Sequence, residues 1–184
     1  MIRFLDIVLA FVGLILTFPI LTIVLVIGYF DSGHPIFRQT RVGKNKRPFV
    51  LIKFRTMSLD TKSVASHLAN TSSITPLGSF LRRTKLDELP QLWNVLRGSM
   101  SLVGPRPNLF NQKELITARD RKNVYDVKPG ITGLAQISQI DMSTPELLAE
   151  TDNKMIQTLT IKSYFGYLVK TVLGNGGGDA IKTK

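Results

Sequence analysis

IVLAFVGLILTFPILTIVLVIGYF, residues 7–30, is a run of 24 positions without one charged side chain. At ~1.5 Å per residue, a straight helix of that length crosses the ~30 Å hydrocarbon layer of a bilayer. A cleaved signal peptide fits poorly, because Arg3 is the one positive side chain ahead of the run and no small-x-small site follows Phe30. The run therefore predicts a permanent membrane element. Pro19, at its middle, removes a backbone donor and clashes with the preceding turn, so a kink is expected there. A kinked helix can still span, or it can bend and leave by the face it entered; composition leaves both open.

Charge placement outside this run fixes the side of the body. The chain has 184 residues and a formal net charge of +11. Residues 31–110 hold 13 Lys and Arg against four acids, +9 of that total, beginning with Arg38, Arg41, Lys44, Lys46 and Arg47. By the positive-inside rule the body is cytoplasmic. A basic surface there attracts anionic headgroups and phosphorylated substrates alike. The apolar share of 43% excludes a disordered basic tail. The absence of cysteine excludes disulfides, thiolate zinc sites and a Cys nucleophile, and two distant histidines, His34 and His67, make no metal cluster.

Beyond the apolar run, residues 36–42 and 49–57 are rich in β-formers and flank Gly43-Lys44-Asn45, which predicts a hairpin. The polar, Ser/Thr-rich residues 58–73 read as a mobile loop. Thr75-Pro76 starts a helix carrying Leu77, Phe80 and Leu81, and a second runs from Pro90 to Gly98, burying Leu89, Leu92, Trp93 and Leu96. Ser143-Thr144-Pro145-Glu146 resembles a capping box. Ile161, Tyr164, Phe165, Leu168, Val169, Val172 and Leu173 form one helical stripe. That stripe suits packing on the core or lying in a membrane interface. The glycine-rich tail has nothing to bury and is expected to be disordered. The division is thus 1–31 membrane helix, 32–173 cytoplasmic domain and 174–184 tail.

No P-loop or dinucleotide fingerprint is present. The notable feature is Asp87-Glu88, adjacent acids within the most basic part of the chain, between Arg82-Arg83-Lys85 and the helix opened by Pro90. One role is interaction with that helix's dipole, worth about 0.3–1 kcal/mol. The other is a carboxylate nucleophile or Mg²⁺ ligand held among phosphate-binding cations.

The run 82–95, RRTKLDELPQLWNV, resembles the signature of the bacterial sugar transferases called monotopic phosphoglycosyl transferases. Three further blocks agree in the same order: KFRTM at 53–57, MSLVGPRP at 100–107 and KPGITGLAQ at 128–136. The chain looks like a minimal, catalytic-unit member. The resemblance implies an α+β, mostly helical fold with a re-entrant membrane helix broken at Pro19, a small β-hairpin and interfacial amphipathic helices. It implies transfer of a sugar-1-phosphate from a UDP-sugar to undecaprenyl phosphate at the cytoplasmic face of the bacterial inner membrane, initiating surface glycoconjugate synthesis and releasing UMP. Asp87 would be the nucleophile, Glu88 its partner, and Mg²⁺ would bridge Asp87 and the diphosphate. Arg82 and Arg106 would donate to phosphate oxygens, with Pro107 completing the turn beside Arg106. Lys53 matches the family's strand lysine, its alternative being a solvated strand charge. Gly130, Gly133 and Gln136 match a later substrate loop, where backbone geometry is expected more often than direct chemistry.

Three departures from the family pattern bear on these expectations. Phe18 replaces the usual Ser before Pro19, leaving Thr17 or Thr22 to supply a hydroxyl. Ser99 stands where an acid is common, and Ser138-Gln139-Ile140 replaces a run that usually ends in arginine. An N-acetylated amino sugar is expected from the resemblance alone. A membrane-anchored nucleic-acid binder, suggested by charge, would show salt-sensitive DNA or RNA binding, expected here to be weak. A non-catalytic scaffold of polysaccharide assembly would need a broken Asp-Glu pair, and this one is intact.

Overall fold

The apolar run forms part of one helix, α1 (Ile2–Ser32), in a computed structural model that describes residues 1–59, 61 and 73–174. The helix stays continuous through Pro19 and ends where Gly33 turns left-handed at φ 69°, its N–H donating to the Tyr29 carbonyl at 2.8 Å. Neither threonine near the proline answers the Ile15 carbonyl that Pro19 frees. Thr17 Oγ1 donates to Gly13 O at 2.7 Å and Thr22 Oγ1 to Phe18 O at 2.9 Å, ordinary back-bonding within the helix.

One stripe of α1 meets the rest of the protein. Asp6, Ala10, Gly13, Leu21, Val24 and Gly28 recur at helical spacing, and a Cβ on Gly13 or Gly28 would press on Leu92 or Pro35. Most of the remaining surface is exposed and apolar, including Phe4, Phe11, Leu16, Phe18 and Ile23. Asp6 is 2% exposed, and its Oδ1 accepts from Ser101 Oγ at 3.0 Å, Leu102 N at 2.9 Å and Tyr164 Oη at 2.8 Å. Three donors on one carboxylate oxygen offset the cost of burying it.

The hairpin forms as expected: β1 (Ile36–Val42) pairs antiparallel with β2 (Pro48–Phe54), pairing Gln39 with Leu51 and Phe37 with Lys53. The connection places Asn45 and Lys46 in the left-handed region. β2 stops three residues short of its expected end, although Met57 still bridges Ile74. The loop expected over 58–73 and the tail expected over 174–184 lie almost wholly outside the described residues.

α2 (Pro76–Thr84) is capped by Thr75, whose hydroxyl accepts from Gly78 N at 2.9 Å. α3 (Gln91–Arg97) follows, ended by Gly98 at φ 86°. It does not bury Trp93, which is 49% exposed, but Gln91, Asn94 and Val95. The reason is the edge of β2: Asn94 Nδ2 donates to Val50 O at 2.7 Å and Ile52 N donates to Asn94 Oδ1 at 3.0 Å. The amide serves as a surrogate strand, so Asn94 turns inward beside Val95 while Leu92 and Leu96 pack partly buried against the core as expected.

Between α3 and the helix expected from Pro145, the sequence reading places no element. The structure has β3 (Ser101–Val103), α4 (Lys113–Arg121), β4 (Gly130–Thr132) and a short α5 (Leu134–Ile137) there. β3 and β4 pair in parallel, and a Cβ on Gly130 would stand 2.0 Å from Gly104 N. Backbones approach that closely only because both positions lack side chains. α6 (Pro145–Thr158) begins at Thr144 without the expected side-chain cap, since the Ser143 hydroxyl bonds Asp141 instead.

α7 (Ile161–Val172) has a true capping box from Thr160 and Ser163. Its predicted stripe splits in two. Tyr164 and Leu168 join the core with Leu51, Val95, Met100 and Leu102, whereas Ile161, Phe165, Val169 and Val172 remain exposed. The architecture is α+β and mostly helical, with two small sheets.

Three substitutions check this packing. Asp6→Leu strands the Leu102 N–H and should destabilise the detergent-solubilised protein by about 1–3 kcal/mol in thermal melts, Tyr164→Phe by about 1 kcal/mol. A melt unchanged in both would contradict the anchor. Gly78→Ala places a Cβ 2.1 Å from Thr56 O. Because that neighbour is backbone, α2 must shift, at a cost of about 1–3 kcal/mol or more.

Candidate active site

α2 ends at Lys85, a non-glycine residue held at φ 58°, which reverses the chain into the turn Leu86–Glu88. Leu86 packs into the apolar cluster of Val24, Phe54 and Leu81, joined by Leu21, Ile36 and Leu77. With Leu86 fixed, the next two side chains face inward: Asp87 is 2% exposed and Glu88 8%. A dipole contact with the seven-residue α3 is worth about 0.3–1 kcal/mol. The effective cost of burying each carboxylate is several kcal/mol unless other groups meet it. The dipole alone does not account for two buried acids.

Cations supply what the dipole cannot. Glu88 Oε1 accepts from Arg106 Nη2 at 2.8 Å, the pair largely shielded from water. Lys85 stands close enough for Glu88 and Arg106 to act on its charge. Burial pushes its ammonium below the ordinary lysine range, with Glu88 opposing and Arg106 adding to the shift. Lys85 Nζ also donates to Thr171 O at 3.3 Å, tying the turn to α7. Arg82 is oriented by Thr56, Nε to Oγ1 at 2.8 Å.

Lys53 is not a solvated strand charge. It is 7% exposed on the inward side of β2, with its Nζ 5.7 Å from the Phe37 ring centroid. β2 itself packs against the Leu86–Glu88 turn. Gln39, Arg41 and Lys53 all lie on the hairpin's inward side and are all buried.

Arg106 projects from a segment that cannot bond to itself, because Pro105 and Pro107 lack N–H groups. Other elements hold its carbonyls. Gln136 Nε2 donates to Gly104 O at 3.3 Å, Gly130 N to Pro105 O at 2.9 Å, and Arg41 Nη1 to Pro107 O at 3.2 Å. Val42 N donates to Asn108 O at 2.9 Å. Gln136 thus acts on the backbone of the Arg106 segment, and Pro107 is a buried part of that segment. Gly133 belongs to the same contact, since a Cβ there would stand 2.7 Å from Gly104 O.

The structure therefore brings Asp87, Glu88 and Arg106 together, sets Arg82 on the neighbouring helix and Lys53 on the neighbouring strand, and uses Gln136 and Pro107 behind them. Sequence reasoning passed over Lys85, Thr56 and Arg41. Lys85 and Thr56 stand inside quoted motifs, and the period-2 alternation of β1 carries a signal for Arg41. Of the departures, Ser99 caps α3 by donating to Asn94 O at 3.1 Å, and Ile140 packs beside Leu115, Ala135 and Leu148.

For a divalent cation the donor set is small. Among the described residues no three His, Cys, Asp or Glu side chains gather as a metal cage. Asp87 and Glu88 are the two carboxylates at the turn, and Glu88 accepts from Arg106. One carboxylate completed by substrate phosphates fits the way Mg²⁺ is ordinarily held.

Residues 1–175 match the family model described as bacterial sugar transferase. A UDP-glucose:undecaprenyl-phosphate glucose-1-phosphate transferase of Escherichia coli is 46% identical over 140 residues, covering 72% of this chain and 30% of that protein. A protein of the same name from Caulobacter vibrioides is 38% identical over 180 residues, covering 92% of this chain and 67% of that protein. A UDP-galactose-lipid carrier transferase of Erwinia amylovora is 36% identical over 187 residues, covering 92% of this chain and 39% of that protein. The chain thus spans about two fifths of the Erwinia protein and less than a third of the E. coli one. With its signature residues gathered around one buried acidic turn, the chain belongs to the bacterial sugar transferase family.

Proposed function

We propose that this chain transfers a sugar-1-phosphate from a UDP-sugar to undecaprenyl phosphate at a membrane surface, through a covalent phospho-sugar on Asp87. The observation that carries the reading is the buried Asp87-Glu88 turn, with Glu88 clamped by Arg106 and basic side chains around it. The family relatives support the donor and acceptor classes.

In this reading an Asp87 carboxylate oxygen attacks the sugar-bearing phosphorus, and the bond from that phosphorus to the UMP oxygen breaks. The oxygen of the lipid phosphate then attacks the same phosphorus, the Asp87–phosphorus bond breaks, and the carboxylate is restored. Glu88, fixed by Arg106, supports the step beside it. Arg82, Arg106 and Lys53 place positive charge where phosphate oxygens gain negative charge. Mg²⁺, when bound, would be held by Asp87 and the diphosphate and would offset their mutual repulsion.

The topology part of the proposal rests on α1. Its Asp6 end packs on β3 and α7, and its Val24–Gly28 end on α2 and Pro35, all in one domain. These ends lie about 30 Å apart along the helix. A helix that crossed the bilayer would place them on opposite sides, so two-ended contact with one domain supports entry and exit by the same face. The exposed row Ile161, Phe165, Val169 and Val172 on α7 suits the lipid interface. By the charge rule that face is cytoplasmic, in the inner membrane, and the product would initiate a surface glycan. For the sugar, the family resemblance suggests an N-acetylated amino sugar, while the relatives' names carry glucose and galactose.

The decisive experiment is UMP release by the full chain in lipid nanodiscs, with undecaprenyl phosphate, Mg²⁺ and either UDP-N-acetylglucosamine, UDP-glucose or UDP-galactose. Asp87→Asn should lower turnover by ~10³-fold or more, ~4 kcal/mol of transition-state stabilisation, while its melt stays native-like. Glu88→Gln should be severely impaired with a trace of activity. Wild-type protein given donor alone should release up to one UMP per site and carry sugar-phosphate mass on Asp87. UMP release that requires the lipid, with no adduct trapped, would replace the two-step route by direct transfer. Excess chelator should abolish turnover and Mg²⁺ restore it; activity that persists would remove the metal from the scheme. Tags before Met1 and after Lys184 should both resist impermeant labels in intact cells, and labelling of the first would reject re-entry.

A further inference from the structure

The carbonyl of Arg106, like that of Pro107, is held by a buried guanidinium, but from α4 rather than from the hairpin. Arg119 Nη1 donates to it at 2.8 Å, a charge-assisted bond from a side chain only 1% exposed. The same nitrogen donates to Asn108 Oδ1 at 2.9 Å, which also accepts from Tyr125 Oη at 3.0 Å. The other side of the guanidinium faces α6, where Nε and Nη2 donate to Asp152 Oδ2 at 3.0 and 2.7 Å. Asp152 is 0% exposed. A guanidinium from α4 thus joins α6 to the backbone of the residue whose side chain clamps Glu88.

A fully buried ion pair is weak support for stability, because desolvation offsets the attraction, and apolar replacements of similar volume are often neutral or stabilising. What this pair supplies is direction. The rigid guanidinium fork fixes the Arg106 carbonyl relative to Asp152, and so the path of the backbone from which the Arg106 side chain reaches Glu88. Arg41 and Val42 hold the following two carbonyls, but from the hairpin. Arg119 ties the Arg106 backbone to the α4–α6 side.

We propose that Arg119 is a positioning residue for the candidate site: anchored by Asp152, it fixes the Arg106 backbone so that the Arg106 guanidinium is held on Glu88. The catalytic consequence rests on the transferase reading above, whereas the placement of Arg106 does not.

The test uses the full chain in nanodiscs and two variants, Arg119→Met/Asp152→Leu and Arg119→Lys. Phenylglyoxal modification followed by peptide mass spectrometry reads how open each arginine is, without needing turnover. In the wild type, Arg106 should react slowly and the exposed Arg121 quickly. In the apolar double variant, Arg106 should react about 5-fold faster or more, with Arg121 and the buried Arg41 unchanged. Arg119→Lys keeps a cation opposite Asp152 and should give an intermediate rate. Arg106 reactivity that stays at the wild-type rate in a variant with protected Arg41 would overturn the proposal. If Arg41 also opens in the double variant, that protein has unfolded and Arg119→Lys decides, the same two outcomes applying.

Turnover is the second readout. With an active wild type, the folded double variant should lose about 10-fold or more in kcat with KM for the donor changed less than about 3-fold. Full kcat despite faster Arg106 labelling would overturn the catalytic consequence. A wild type that releases no UMP from any donor would sink the transferase reading while the labelling result still judges the placement of Arg106.

Discussion

Both halves of the Glu88–Arg106 contact are seated on α1, at opposite ends of one stripe. Leu86, which leads into the acidic turn, packs with Leu21 and Val24. β3, which leads into the Arg106 segment, is held by Asp6 through Ser101 and Leu102. An apolar helix has few ways to specify where a soluble domain sits, because apolar packing is non-directional. One buried carboxylate with three donors supplies the missing direction. If β3 slid by one residue, the Leu102 N–H would lose its acceptor, so the register of the strand and the reach of Arg106 are fixed together.

The same logic recurs away from the membrane element. Segments with little secondary structure of their own are held by side chains that act as backbone: Asn94 completes β2, Gln136 holds Gly104, Arg41 holds Pro107 and Arg119 holds Arg106. Each satisfies a backbone carbonyl, and where that group is buried, as at Gly104 and Pro107, leaving it unmet would cost about 1–3 kcal/mol. Glycine enters the scheme where backbones must nearly touch, as at Gly104 and Gly130. The net effect is a rigid floor beneath a short acidic turn, built from few residues.

What the sequence made legible follows from how local each signal is. α1 is written in an uncharged apolar run, α2 in its Thr-Pro cap and the hairpin in turn chemistry, so these elements appear close to where they are expected. The acidic turn is legible because two adjacent acids stand out in a basic stretch. The parallel β3–β4 pair is not, since three residues carry no period and its pairing depends on two glycines 26 positions apart in sequence. The inward face of α3 is misread for a related reason: Trp93 is the larger apolar side chain, but the unpaired edge of β2 claims Asn94. Arg119 and Asp152 look like solvated charges on polar helices, and only tertiary structure shows them joined. Family motifs name Lys53, Arg82, Arg106 and Gln136 without distinguishing those that face the acids from those that hold the backbone.

That distinction gives the site its electrical character. Among the described residues around the turn, Lys53, Arg82, Lys85 and Arg106 are basic, against the two acids Asp87 and Glu88. Thr56 orients Arg82 and the Thr171 carbonyl holds Lys85, each a neutral group at hydrogen-bond distance. Four cations against two carboxylates leave the turn with a surplus of positive charge. In water such a surplus would be screened within about 10 Å. Between a packed domain and an apolar helix, screening is weaker, and an arriving diphosphate would be drawn to that potential. The same low polarity raises the cost of bringing an unshielded carboxylate and a phosphate together. If Asp87 acts as the nucleophile proposed above, it requires the surrounding cations, which relates the acidic turn to the basic sequence in which it sits.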